Sequence, residues 1–228
     1  MAKNDIRPAL MIFGDRHISL YLDNRSIEPF NRTHYMTDLQ ALVKVEAFIR
    51  KIVQPNAEEW DAFAQIAHVK ALKKKDLLLE AGQTCNFIVF VNAGVLREYS
   101  YQNNKDTTVD FVADGQFTSD YQSFIMQTPS KQYLEALTDI EMLIFKKEDI
   151  NTLYDKYKVW ERFGRLIIEQ IFCIAEAKRK KIISDSHEEQ YRAFAAAYPQ
   201  IVQQVPQYYI ASYLGLTPEH LSRLRKKV

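Results

Sequence analysis

Apolar and polar positions recur with two different periods along this chain, and the period changes twice. From 38 to about 68 the apolar residues fall three and four apart: Leu39, Leu42 and Val43, then Phe48, Ile49 and Ile52. That spacing puts them on one face of a helix. Pro55 and Asn56 break the run, and Asn56 is placed to cap a second helix over 57–66 that carries Trp60, Phe63 and Ile66. From 69 to 147 the period shortens towards two. Residues 73–76 read as a polar corner and 77–79 as a short strand ended by Glu80-Ala81-Gly82. The run 87–91 is apolar on both faces, which predicts a central, sandwiched strand. Residues 95–101 and 107–112 alternate about a hairpin tip at 102–106, and 133–137 and 141–145 give two more strands. Several short strands at regular spacing predict a sandwich or barrel.

After Lys147 the helical period returns. Trp160, Phe163, Ile167, Ile171, Ile174 and Ala177 lie three and four apart with no breaker between them. A long helix with a narrow stripe predicts a partner helix, here a second copy of the chain, with Phe163, Ile167, Ile171 and Ile174 as the interface. The alternative is a core helix of its own domain. Residues 178–181, Lys-Arg-Lys-Lys, suit a solvated helix end, where positive charge favours the dipole. Ser184 or Asp185 is expected to cap a last module, whose helix over 188–198 bears Tyr191, Phe194, Ala195 and Tyr198.

The final twenty residues carry the most specific pattern. Ile210, Ala211 and Leu214 form the inward face of a short helix, and small Ala211 lets a second helix cross closely. Gly215 stands where a helix stop needs a left-handed residue, and Leu216 plugs the turn. Thr217 is a good N-cap and Pro218 a good first helical residue. Leu221 and Leu224 point the second helix back onto the first. Thr217, Pro218, Glu219, Ser222, Arg223, Arg225, Lys226 and Lys227 are left outward. This spacing reads as a helix-turn-helix, whose second helix meets base edges. An ordinary helical hairpin is the plainer alternative.

Composition changes the picture little. The chain has 228 residues, 47% of them hydrophobic and 26% charged, as in soluble globular proteins. No apolar run approaches a membrane span, and residues 1–14 lack the apolar core of a secretory signal. A cytoplasmic protein without membrane contact is expected. A net charge of +1 means that nucleic-acid affinity must rest on local patches. Cys85 and Cys173 form no metal framework and are expected to be small buried or half-buried residues. The five histidines are His17, His34, His68, His187 and His220, and none falls inside the strand-rich segment after His68. That removes a metal-binding barrel enzyme of the cupin kind. No nucleophile–base motif or glycine-rich phosphate loop is present either, so the chain is expected to be no enzyme and to hold no metal or cofactor.

A β-rich segment, a long helix and a C-terminal helix-turn-helix, in that order, resemble the Crp/Fnr superfamily of transcription regulators. The resemblance covers roughly 39–228. It is most specific at Glu80-Ala-Gly-Gln83 with Phe87-Ile-Val-Phe-Val-Asn-Ala-Gly-Val-Leu-Arg97, and at Tyr198-Pro199, Val205-Pro206-Gln207 and 210–223. It implies an α+β fold: an antiparallel, jelly-roll-like β-roll of the cyclic-nucleotide-binding type as sensor, a long dimerisation helix and a C-terminal helix-turn-helix domain without a full wing, since the sequence stops directly after the second helix. The implied division is a poorly ordered arm over 1–37, the roll with flanking helices over 38–152, the long helix over 153–183 and the DNA-binding domain over 184–228. Met36, which opens the first sustained pattern, is a candidate start of the natural chain. The implied partners are double-stranded DNA, a second copy, a small-molecule effector and RNA polymerase. Glu219 and Arg223 fall at the family's base-reading positions.

The roll's ligand positions depart from the pattern that the resemblance implies. Cyclic-nucleotide binders carry Gly-Glu at the ribose and Arg-Ser or Arg-Thr at the phosphate. Here Ser119-Asp120 replaces the first pair, and Ser130-Lys131 stands near the second. A lysine is a point charge without the planar fork of arginine. A degenerate pocket with an unidentified effector is expected. The competing function is a small-molecule-sensing roll that acts through protein partners, and a shift of DNA by the protein separates the two.

Overall fold

Local chemistry sets the first elements. The structure, a computed structural model, describes residues 32–102 and 105–226, so most of the expected arm lies outside it, as do Lys227 and the two residues of the hairpin tip. Helix α1 (Arg32–Ile49) already starts inside the segment expected to be an unordered arm. Helix α2 (Ala57–Gln65) begins where the sequence placed it. The Asn56 side chain accepts from the Glu59 amide at 3.0 Å while Glu59 accepts from the Asn56 amide at 2.7 Å, a reciprocal cap.

Eight strands follow in two antiparallel sheets: β1 (His68–Leu72), β2 (Leu77–Leu79), β3 (Phe87–Ala93), β4 (Leu96–Gln102), β5 (Lys105–Val112), β6 (Phe117–Thr118), β7 (Gln132–Ala136) and β8 (Ile140–Lys146). The first sheet has the order β1-β8-β3-β6 and the second β2-β7-β4-β5. Strand β3 is interior, and its Val89, Phe90 and Val91 are fully buried. Strands β1 and β6 have no counterpart in the sequence reading. Both are sheet edges, and four of the five β1 residues are exposed, so burial left no alternation to see. The segment between β6 and β7, which reads as irregular, holds α3 (Tyr121–Met126).

One continuous core takes Phe90, Val91, Met142 and Leu143 from the two faces of the first sheet and Leu79, Leu96, Leu134 and Ala136 from the second. It extends into helices α4 (Lys147–Lys156) and α5 (Lys158–Ser184). The ring of Trp160 stacks on Phe63 at 4.6 Å, and its indole N–H donates to the Glu59 carbonyl at 3.0 Å, which fixes where the long helix leaves the roll. Phe163 is buried in this same core, and Ile167 packs against it. The first half of the expected dimer stripe is therefore an internal contact. Cys85 is fully buried as expected, but Cys173 is exposed on α5.

A second core lies on the far side of the second sheet. Val95, Phe111, Ala113 and Leu137 of the roll pack with the C-terminal module: α6 (His187–Ala197), α7 (Pro199–Gln204), α8 (Gln207–Tyr213) and α9 (Pro218–Arg225). Ser186, rather than Ser184 or Asp185, caps α6, in a reciprocal cap with Glu189. Among the described residues no helix is long and apolar enough to cross a membrane.

Gly94, in the turn between β3 and β4, has φ +103°, and a Cβ there would strike the Asp139 carbonyl and the Thr138 hydroxyl. Both strain and clash oppose any side chain. Gly94→Ala is expected to cost about 3 kcal/mol, read as a lowered midpoint in denaturant unfolding.

Candidate nucleic-acid interface and roll site

The helix-turn-helix is built from its turn outward. Helix α8 ends in paired hydrogen bonds: the Leu216 amide donates to Ala211 at 2.8 Å and the Gly215 amide to Ser212 at 3.1 Å. This closure needs a left-handed residue, and Gly215 supplies it with φ +69°. Thr217 then caps α9, its side chain accepting from the His220 amide, with Pro218 in the first turn. Ile210, Ala211 and Leu221 are fully buried, and Leu224 nearly so.

The opposite face of α9 is open. Thr217, Pro218, Glu219, Ser222, Arg223, Arg225 and Lys226 are all exposed, and Lys227 lies outside the described residues. Glu219 and Arg223, one turn apart, share a side of the helix. Hydrogen bonds from its own amide and the Thr217 hydroxyl hold the Glu219 carboxyl below its ordinary value, so it is ionised at neutral pH. The exposed surface thus offers one acceptor-only side chain, two forked cations and an ammonium.

In the roll, three of the four candidate ligand residues are engaged by the protein itself. The Ser119 hydroxyl donates to the Phe87 carbonyl at 2.8 Å. Asp120 is buried and caps α3, accepting from the Ser123 amide at 3.0 Å. Ser130 is buried, donating to the Gln132 carbonyl at 3.0 Å and accepting from its amide at 2.9 Å. Lys131 is exposed. Nothing in this set converges as a fork.

Sequence reasoning missed the charges nearby. Glu98 on β4 stands directly across from Asp110 on β5, an unfavourable like-charge pair. Burial, reinforced by Asp110 and Asp120, pushes the Glu98 carboxyl up to about 7, against a partial offset from Lys178. The Lys178 ammonium of α5 lies 3.5 Å from Asp110 and 4.6 Å from the Tyr213 ring. Burial works against that ammonium, yet Asp110 and Tyr213 raise it overall, so it stays charged. A single glutamate in a strand gives no sequence signal of this kind, because its partner is set by register.

Glu98 gives a pH prediction. Its folded value lies above its ordinary value of 4.5, so the folded chain binds the proton more tightly. The resulting stability is present below about pH 4.5 and lost as pH rises through about 7. Glu98→Gln should flatten the stability profile in that window and gain about 2 kcal/mol over the parent at pH 8. Urea midpoints from pH 5 to 8 check this.

Residues 69–157 match the cyclic nucleotide-binding domain family. None of the curated proteins matches the chain significantly in sequence. Among solved structures, FixK2 from Bradyrhizobium japonicum is similar at a TM-score of 0.59 and 14% identity, over 71% of this chain and 84% of that one. A transcriptional regulator of the Crp/Fnr family from Eubacterium rectale is similar at 0.58 and 16%, over 76% and 83%. The c-di-GMP-responsive global regulator CLP from Xanthomonas campestris is similar at 0.56 and 14%, over 75% and 91%. The chain therefore carries a cyclic nucleotide-binding domain over residues 69–157, in an α+β fold shared with these regulators.

Proposed function

We propose that the chain is a dimeric transcription regulator that reads a two-fold-symmetric operator through α9. The observation that carries this reading is the closed turn at Gly215, which seats α9 on α8 and leaves its polar, basic face outward. The regulators of like fold support it. Arg223 meets a base edge, where its fork takes guanine O6 and N7 together, and Glu219 accepts from cytosine. Arg225 and Lys226, at the end of the helix, meet phosphates. Arg223→Ala is expected to lose discrimination at one base pair of each half-site, about 1–3 kcal/mol. Lys226→Ala is expected to keep the preferred sequence and lower the salt slope by about one unit. Selection from a random DNA pool followed by titration checks both. Unchanged base ranking in Arg223→Ala would overturn the placement of α9.

The dimer forms along the outer part of α5. Ile171, Ile174 and Ile182 are exposed there, at 51%, 66% and 61%, while Phe163 and Ile167 serve the roll. The spacing of three between Ile171 and Ile174 suits a helix pair. Ile171→Asp and Ile174→Asp should each yield monomers by light scattering, because each puts an unpaired charge in an apolar seam.

The roll, with its flanking helices over 38–152, is the sensor, and 184–228 is the DNA-binding module. Its effector is not cyclic AMP. Ser119, Asp120 and Ser130 are engaged within the fold, and Glu98 and Asp110 add negative charge. Calorimetry should register no heat of cyclic AMP binding at moderate concentration, and a micromolar constant would return Lys131 to the role of phosphate partner.

A further inference from the structure

Strand β5 is an edge of the second sheet, and its Thr108 amide does not stay open to water. It donates to the Ser212 hydroxyl of α8 at 3.0 Å, across a sequence separation of 104 residues. Beside it, the Arg97 guanidinium of β4 is 1% exposed. Asp106 holds it at 2.7 Å and Glu135 at 3.4 Å, and its Nε donates to the Thr108 hydroxyl at 2.9 Å. Its two faces lie against rings: Tyr99 of the roll at 4.4 Å and Tyr209 of α8 at 3.7 Å. A third point follows along the same strand, where Phe111 packs on Tyr213 at 5.4 Å and Lys178 spans Asp110 and Tyr213.

We infer that the outer face of the second sheet is a clamp for α8, closed by Arg97 on Tyr209 and by Thr108 on Ser212, which holds the helix-turn-helix against the roll and withholds α8 from DNA. The inference rests on the proposed DNA-reading function. In a docked helix-turn-helix the first helix crosses the DNA backbone while the second enters the groove. Here Tyr209, Ser212 and Tyr213 of that first helix face a sheet surface bearing Asp106, Asp110 and Glu135. A phosphate chain arriving at α8 beside this surface would meet three carboxylates against one lysine and one arginine that they already occupy. Roll and DNA therefore compete for the same helix. Arg97 suits this role because its ion pairs are complete within the roll, so releasing Tyr209 uncovers one face of a cation that keeps both carboxylates. Stacking of this kind is strong enough to hold a helix and weak enough to be reversed.

The test uses the full chain and two substitutions on α8 that leave the roll and α9 intact. Ser212→Ala removes the acceptor, and Tyr209→Ala removes the ring over Arg97. The first readout is amide hydrogen exchange at Thr108, which should speed up at least tenfold in both variants if the clamp opens. The second is affinity for the selected operator, which should rise by about 5- to 100-fold in Tyr209→Ala, with the same base ranking. Unchanged exchange at Thr108 would show that the two contacts do not hold α8. Faster exchange with unchanged or weaker DNA binding would show that the docked arrangement is the one that reads DNA, and would overturn the inference. If no version of the chain binds DNA, the proposed function fails and the withholding fails with it. The exchange result then decides whether the contacts hold the module at all.

Discussion

Arg97 sets the terms on which the two halves of this chain meet. A guanidinium with 1% exposure is costly unless its charge and donors are met. Here Asp106 and Glu135 balance the charge, the Thr108 hydroxyl accepts from Nε, and the rings of Tyr99 and Tyr209 lie over the guanidinium. Four of these five groups belong to the roll, and Tyr209 belongs to α8. The site is complete only when the C-terminal module is seated. The same seating covers the Thr108 amide on the β5 edge, which would otherwise stand open. It also buries the apolar outer face of the second sheet, with Val95, Phe111, Ala113 and Leu137.

What the sequence revealed follows from how local each cause is. The helix-turn-helix was legible almost atom by atom, because a left-handed Gly215, a Thr217 cap and Pro218 each act within three residues of themselves. The central strand β3 was legible because burial on both faces leaves an unbroken apolar run. The edges β1 and β6 were not: four of the five β1 residues are exposed, and β6 has only two residues, too few to show a period. The long helix shows the same limit. A three-and-four repeat from Phe163 to Ile174 is real, but a repeat cannot say whose core it enters. Stacking of Trp160 on Phe63 gave the first part to the roll and left Ile171 and Ile174 outside.

The candidate ligand residues were legible as a departure from a pattern, not as a chemistry. Sequence marked Ser119, Asp120, Ser130 and Lys131 as a set without an arginine fork. It could not show that the first three are spent on the roll's own backbone. Nor could it pair Glu98 with Asp110, which depends on the register of β4 against β5.

Strands β4 and β5 join these two observations. Glu98 and Arg97 are neighbours on β4, and neighbours on a strand face opposite sides of a sheet. One therefore belongs to the carboxylate group with Asp110 and Asp120, and the other to the seat of α8. On β5, Thr108 and Phe111 meet α8, and Asp110 meets Lys178 of the long helix, which itself lies over Tyr213 of α8. A packed sheet yields little without loss of its contacts. A change in charge at Glu98 that shifted this strand pair would have to move Arg97 and Thr108 with it. The three parts of the chain (roll, long helix and C-terminal module) thus share one two-stranded element, and α9 is positioned through the seat of α8 upon it.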